Sequence, residues 1–192
     1  MSYSIYRRYL GTSVLFLFLL SLLATGCQSE KTNNSGTGDV SSKPAVKLVS
    51  GTIVGGIGVK ELKLGVSGAE AEQILGTPSE RDSNEFREGQ TFLLFHDKGI
   101  ELTLQDDKVE VITLHTSTDK WNAYRGATAE GIGVTSSARD VEIAFGTAEE
   151  EASRSLRYRS KGLWFRFDKN REGHESQAKV ESLSVLATEK KS

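Results

Sequence analysis

Apolar positions along the chain fall into three kinds of pattern. From Val14 to Ala24 they are continuous, broken only by Ser21. Farther on they alternate with period two: Leu93 and Phe95, then Ile100, Leu102 and Leu104, then Val109, Val111 and Thr113. The same alternation returns at Leu156 and Tyr158, at Leu163, Phe165 and Phe167, and from Val180 to Leu186. Such short alternating runs predict strands with one buried face. Two further stretches, Ser67–Gly76 and Ser137–Gly146, carry apolar residues at helical spacing instead.

Both helical stretches open on a capping box, Ser67-Gly68-Ala69-Glu70 and Ser137-Ala138-Arg139-Asp140. There the serine oxygen accepts from an orphan amide and the acid reaches back to the serine amide. Gly76 and Gly146 stop the helices. At about nine residues neither holds alone in water, so each must lay its apolar stripe on a sheet. Residues 45–64 are apolar and β-branched, with Gly55 and Gly56 inside them, and predict one or two strands. Arg81–Gln90 and Asp168–Ala178 are polar and predict loops.

The patterns recur. Lys98-Gly99-Ile100 and Lys161-Gly162-Leu163 open matching runs, and their glycines, at 99 and 162, stand 63 residues apart. The helix caps at 67 and 137 stand 70 apart. The expected fold is therefore α+β: two tandem repeats, each a strand, a short helix and a three-stranded antiparallel meander. Repeat 1 would cover 45–118, repeat 2 would cover 119–187, and 188–192 would be a charged tail.

Several residues carry a resemblance. Gly65, Ser67 and Leu75-Gly76-Thr77-Pro78, with Lys98-Gly99-Ile100 and Lys108-Val109, are matched by Gly131-Ile132-Gly133, Ser137, Phe145-Gly146, Lys161-Gly162-Leu163 and Lys179-Val180. Over about 140 residues this pattern is similar to the tandem repeats of the β-lactamase-inhibitor-protein-like fold. Small outer-membrane lipoproteins of the SmpA/OmlA family share that fold. The matching motifs are turn and core residues, so what the resemblance implies is the fold of such envelope lipoproteins more than a function.

The N-terminus points the same way. Arg7 and Arg8 precede the apolar run, which is too short to span a bilayer comfortably and fits a secretory signal over 1–26. It ends in Leu23-Ala24-Thr25-Gly26-Cys27, which resembles a bacterial lipobox. Cys27 is the only cysteine, so an intrachain disulfide is excluded. Lipidation there supplies more than one acyl chain, at about 0.8 kcal/mol per buried CH₂, which anchors stably. Gln28 after the cysteine implies the outer membrane in a Gram-negative host; in a Gram-positive host the anchor sits in the outer face of the cell membrane. Gln28–Pro44, rich in Ser, Thr, Asn and Gly, reads as a flexible tether of about 23 Å root-mean-square span.

Net charge is −2, and removing the leader with its two arginines leaves 22 basic against 26 acidic residues. Nothing in that balance argues for nucleic acid. The three histidines, His96, His115 and His174, lack metal-ligand spacing, so no cofactor or metal is expected. Gly56-Ile57-Gly58 and Gly131-Ile132-Gly133 lack the third glycine of a phosphate loop and read as turns. Asp106-Asp107 and Glu149-Glu150-Glu151 read as turn and surface acids.

One face is less bland. If Leu163, Phe165 and Phe167 point inward, then Arg157, Arg159, Trp164 and Arg166 point out together. Trp and Arg are the types most enriched at binding hot spots. The expectation is a non-catalytic, lipid-anchored module binding a protein or an anionic envelope polymer through that patch. The alternatives are a small envelope hydrolase or metal enzyme, in which His96 or His115 would converge with distant acids, and a purely structural lipoprotein. Metabolic labelling with a fatty-acid analogue should mark the native chain and spare Cys27→Ser; equal labelling of both would refute lipidation at this cysteine.

Overall fold

The computed structural model describes residues 51–189. The apolar leader, Cys27 and the tether lie outside them. The described residues begin with three two-residue strands, β1 (Ile53–Val54), β2 (Gly58–Val59) and β3 (Leu62–Lys63), which form a small antiparallel sheet. Helix α1 (Gly68–Leu75) follows, then β4 (Glu80–Ser83), β5 (Gln90–Phe95), β6 (Ile100–Gln105) and β7 (Lys108–His115). A long linker leads to α2 (Ala138–Phe145). Strands β8 (Glu150–Ala152), β9 (Ser155–Tyr158), β10 (Leu163–Phe167) and β11 (Val180–Leu186) complete the chain.

The eight long-sheet strands lie in the order β4-β5-β6-β7-β11-β10-β9-β8, antiparallel throughout. The seam joins β7 to β11, with Leu114 opposite Leu183 and Ile112 opposite Val185. All four are fully buried. Between them Thr113 Oγ1 and Ser184 Oγ share a hydrogen bond of 3.0 Å on the other face.

This overturns the α+β expectation of two tandem strand–helix–meander repeats. The protein is mostly β: one continuous eight-stranded sheet, a separate three-stranded sheet and two helices among the described residues. The predicted loop after α1 contains β4, and the acidic run Glu149–Glu151 contributes to β8. Both are edge strands whose exposed, charged side chains hide any alternation, and charge on an edge discourages pairing with other chains. The strand expected before the second helix is absent; only an isolated bridge, Ser137 to Lys179, forms there. Of the stretch 45–64, expected to hold one or two strands, residues 45–50 lie outside the described residues, and the rest forms the three two-residue strands, with Gly55 and Gly56 in the turn between β1 and β2.

Both helices keep their capping boxes: the Ser67 and Ser137 hydroxyls accept from the Glu70 and Asp140 amides. The acids accept back from the serine amides at 2.8 and 2.9 Å; the Glu70 pKa is lowered by the Ser67 amide and then its hydroxyl, that of Asp140 by the Ser137 hydroxyl and then its amide. Backbone bonds from Val109 to Val66 and from Val180 to Ser136 fix each helix start beside a seam strand. The helices lie on the inner face of the sheet, where Ala71, Ala138 and Val141 are fully buried. Phe145 stacks on Phe165 with ring centres 5.6 Å apart and meets Tyr158 at 5.5 Å. Tyr158 donates to the Gly146 carbonyl at 2.8 Å, and burial, followed by nearby Glu142, pushes its pKa up to about 12. Buried Arg171 ties α2 to β8, reaching Glu142 at 3.1 Å and Glu151 at 2.7 Å.

The seam predicts a contrast. Leu183→Ala should cost about 2–5 kcal/mol by urea denaturation, as a buried leucine truncation leaves a cavity. Ser184→Ala, one residue away on the other face, should cost only about 1 kcal/mol for its hydrogen bond. Equal costs would show that the two faces of the seam are not differently packed.

Candidate functional site

The helices and the core cover most of the inner face of the sheet, and the expected site residues fall on the outer face. Alternation places Trp164 there, between Leu163 and Phe165, which are buried. Cross-strand register then defines a transverse row. Trp164 lies opposite Ser184 on one side and Arg157 on the other. Ser184 is opposite Thr113, Thr113 opposite Glu101, Glu101 opposite Leu94 and Leu94 opposite Glu80. Arg157 in turn faces Glu150. The row crosses all eight strands, which at about 4.8 Å per strand is roughly 33 Å. A parallel row runs from Ser155 through Arg166 and Ser182 to His115.

The four residues expected to form a cationic patch are divided by the fold. Arg157 and Trp164 are together, with the guanidinium carbon 5.9 Å from the ring centre. Arg157 also pairs with Glu150 at 3.4 Å and Glu189 at 3.2 Å. Arg159 is not on the strand. It starts a short 3-10 turn, Arg159–Lys161, and pairs with the same two acids, at 3.0 Å to Glu189. Two arginines and two glutamates thus form a balanced network. Such half-exposed pairs contribute about 0–1 kcal/mol each, but they cancel the local positive charge. Arg166 stands one row away, exposed and without an ion pair among the described residues.

A second aromatic joins this face, unforeseen from the sequence. Trp121 stacks on His115, with ring centres 4.0 Å apart and planes 10° apart, and meets His96 edge-on at 4.6 Å. His115 Nε2 lies 3.0 Å from Glu101 Oε2, and His96 Nε2 lies 3.6 Å from Glu80, which also holds Lys120 at 3.0 Å. The linker is pinned by Asn122 N donating to the His96 carbonyl and Tyr124 N to that of His115. Gly99, at φ +66°, lets it pass: a Cβ there would sit 2.3 Å from the Asn122 carbonyl oxygen. The signal was present in the chain. His96 continues the outward series Phe92, Leu94, and His115 continues Val111, Thr113.

A histidine does meet a carboxylate from another strand here, as the hydrolase alternative requires. The indole, however, lies flat on the imidazole, and neither histidine lines the two larger described clefts. No group of three or more metal-ligating side chains occurs among the described residues. Cys27 lies outside them.

No protein-family model matches the chain, and no curated protein matches it. Two solved structures resemble part of it. One is an extracellular protein containing a SCP domain from Bacillus anthracis str. Ames, at 7% identity and TM-score 0.43, over 65% of this chain and 44% of that one. The other is a cysteine-rich secretory protein from Staphylococcus aureus subsp. aureus Mu50, at 11% identity and TM-score 0.43, over 73% and 50%. The chain spans half or less of the length of these structures, and likeness of this size assigns neither family nor activity.

The stacked rings should behave as one unit. In a double-mutant cycle, His115→Ala and Trp121→Ala should couple by about 0.5–1.5 kcal/mol, as paired aromatic rings do. A coupling near zero in denaturation experiments would mean that the indole merely rests on the sheet.

Proposed function

We propose that this chain is an exported, lipid-anchored envelope protein that binds rather than catalyses, with the outer face of its eight-stranded sheet as the contact surface. The leader and the lipobox at Cys27 support the address. The observation that carries the binding reading is the transverse row at Trp164: a half-buried indole on the outer sheet face, opposite Arg157 on one side and Ser184 on the other. Ser182 and Ser184 are buried beside it, Ser184 bonded to Thr113, while Thr113 and Thr103 are half-buried on β7 and β6.

A polysaccharide strand of the envelope fits this surface best. Sugar rings offer an apolar C–H face that packs on indole and a rim of hydroxyls that exchange hydrogen bonds with half-buried polar groups such as Thr103, Thr113 and Glu101. A protein partner would be expected to seek a more apolar centre. With Arg157 and Arg159 already paired to Glu150 and Glu189, little local field selects for a polyanion. Width agrees as well, since a row of roughly 33 Å accommodates several sugar units.

The test is co-sedimentation of the detergent-solubilised full chain with purified, insoluble envelope polysaccharide. Trp164→Ala should weaken retention tenfold or more, because an anchoring aromatic at a hot spot is worth about 2 kcal/mol or more. Its melting temperature should barely move. Undiminished retention, or a large loss of stability with retention intact, would remove Trp164 from the contact surface.

A further inference from the structure

The helix side of the fold carries a separate cavity that the reading above does not use. It holds about 660 Å³ and is walled by β2 and β3, the end of α1, the β5–β6 turn and the linker. That volume lies within the range of small-molecule sites. Its floor is apolar: Val59, Leu62, Ile100 and Tyr124 all line it and are all buried. Burial raises the Tyr124 pKa, so the phenol stays neutral at the cleft floor.

The rim is charged. Asp97 and Lys98 cancel each other at 2.7 Å. That leaves Lys60 and Arg125 against the single carboxylate of Glu61. Lys60 and Arg125 form no ion pair among the described residues, although this chain pairs most of its other arginines. The backbone of Lys60 supplies a second, independent observation. Its φ is +50°, in the left-handed region where glycine or asparagine is at ease and lysine is strained. The turn is held by Lys60 N donating to the Thr52 carbonyl at 2.8 Å and by Lys63 Nζ donating to the Lys60 carbonyl at 2.9 Å. This turn places the Lys60 side chain on the rim of the cleft.

We propose that this cleft binds a small amphiphile with one negative group, its apolar body on Leu62, Ile100 and Tyr124 and its anion between Lys60 and Arg125. A carboxylate, sulfonate or phosphate diester shares the required chemistry. The net rim charge of one cation selects a monoanion, and the buried floor selects a body with little polar surface.

The probe is 1-anilinonaphthalene-8-sulfonate, compared with N-phenyl-1-naphthylamine, the same rings without the sulfonate. The full chain should bind the sulfonate saturably at one site. Lys60→Gln with Arg125→Gln should weaken that binding tenfold or more and leave the neutral probe unchanged. Ala123→Trp, which fills the cleft from the linker side, should abolish both. Partial unfolding of a variant would increase the fluorescence of the sulfonate probe, and an unchanged melting temperature for each variant rules out full unfolding as the cause of a loss. Trp164→Ala should not alter binding, which separates this site from the polysaccharide face. Absence of saturable binding, unchanged affinity in the double variant, unchanged binding after Ala123→Trp, or displacement by inorganic phosphate alone would overturn the proposal.

Discussion

Everything in this protein depends on the antiparallel seam between β7 and β11. These strands are 64 residues apart at their nearest ends, His115 and Val180 excluded, yet they exchange a regular ladder from Ser182–His115 to Leu186–Val111. Closing a loop of that length costs entropy that only a well-buried contact can offset. The seam supplies it through Ile112, Leu114, Leu183 and Val185, all inaccessible to solvent. Because β7 and β11 also receive the segments that start α1 and α2, the seam fixes where both helices lie. It therefore decides which face of the sheet is closed and which stays open.

The open face gets its character from register. Slipping one strand by a residue would exchange Trp164 and Arg166 for Leu163, Phe165 and Phe167, exposing core and burying charge. The pairing Trp164–Ser184–Thr113–Glu101 is thus a consequence of core packing on the other side, not of any attraction among these outward residues. Electrostatics is secondary there. The Arg157 and Arg159 network is balanced by Glu150 and Glu189, whose acids come from an edge strand and from beyond β11. Trp164, half-buried, and Arg166, exposed and without an ion pair among the described residues, are the members of the expected patch that this network leaves out.

The linker does two jobs with one path. Its backbone bonds to the His96 and His115 carbonyls lay Trp121 on the open face, while Tyr124 drops into the floor of the cleft on the helix side. Residues three apart in sequence thereby serve both surfaces. A variant that loosens the linker is expected to disturb both, whereas Trp164 and Lys60 report on one surface each.

Local patterns were legible because they are set by near neighbours. The capping boxes at Ser67 and Ser137, the stops at Gly76 and Gly146, and the alternation at Leu163–Phe167 all follow from residues a few positions apart, and the structure forms them. Sequence alone also specified the candidate lipidation at Cys27. It did not specify that the meanders carry four strands rather than three, since the edge strands Glu80–Ser83 and Glu150–Ala152 bury little and show no period. Nor did it specify the partners of Arg157 and Arg159, the meeting of His96, His115 and Trp121, or the cleft around Lys60. Those depend on contacts between segments tens of residues apart, which only the tertiary fold brings within reach.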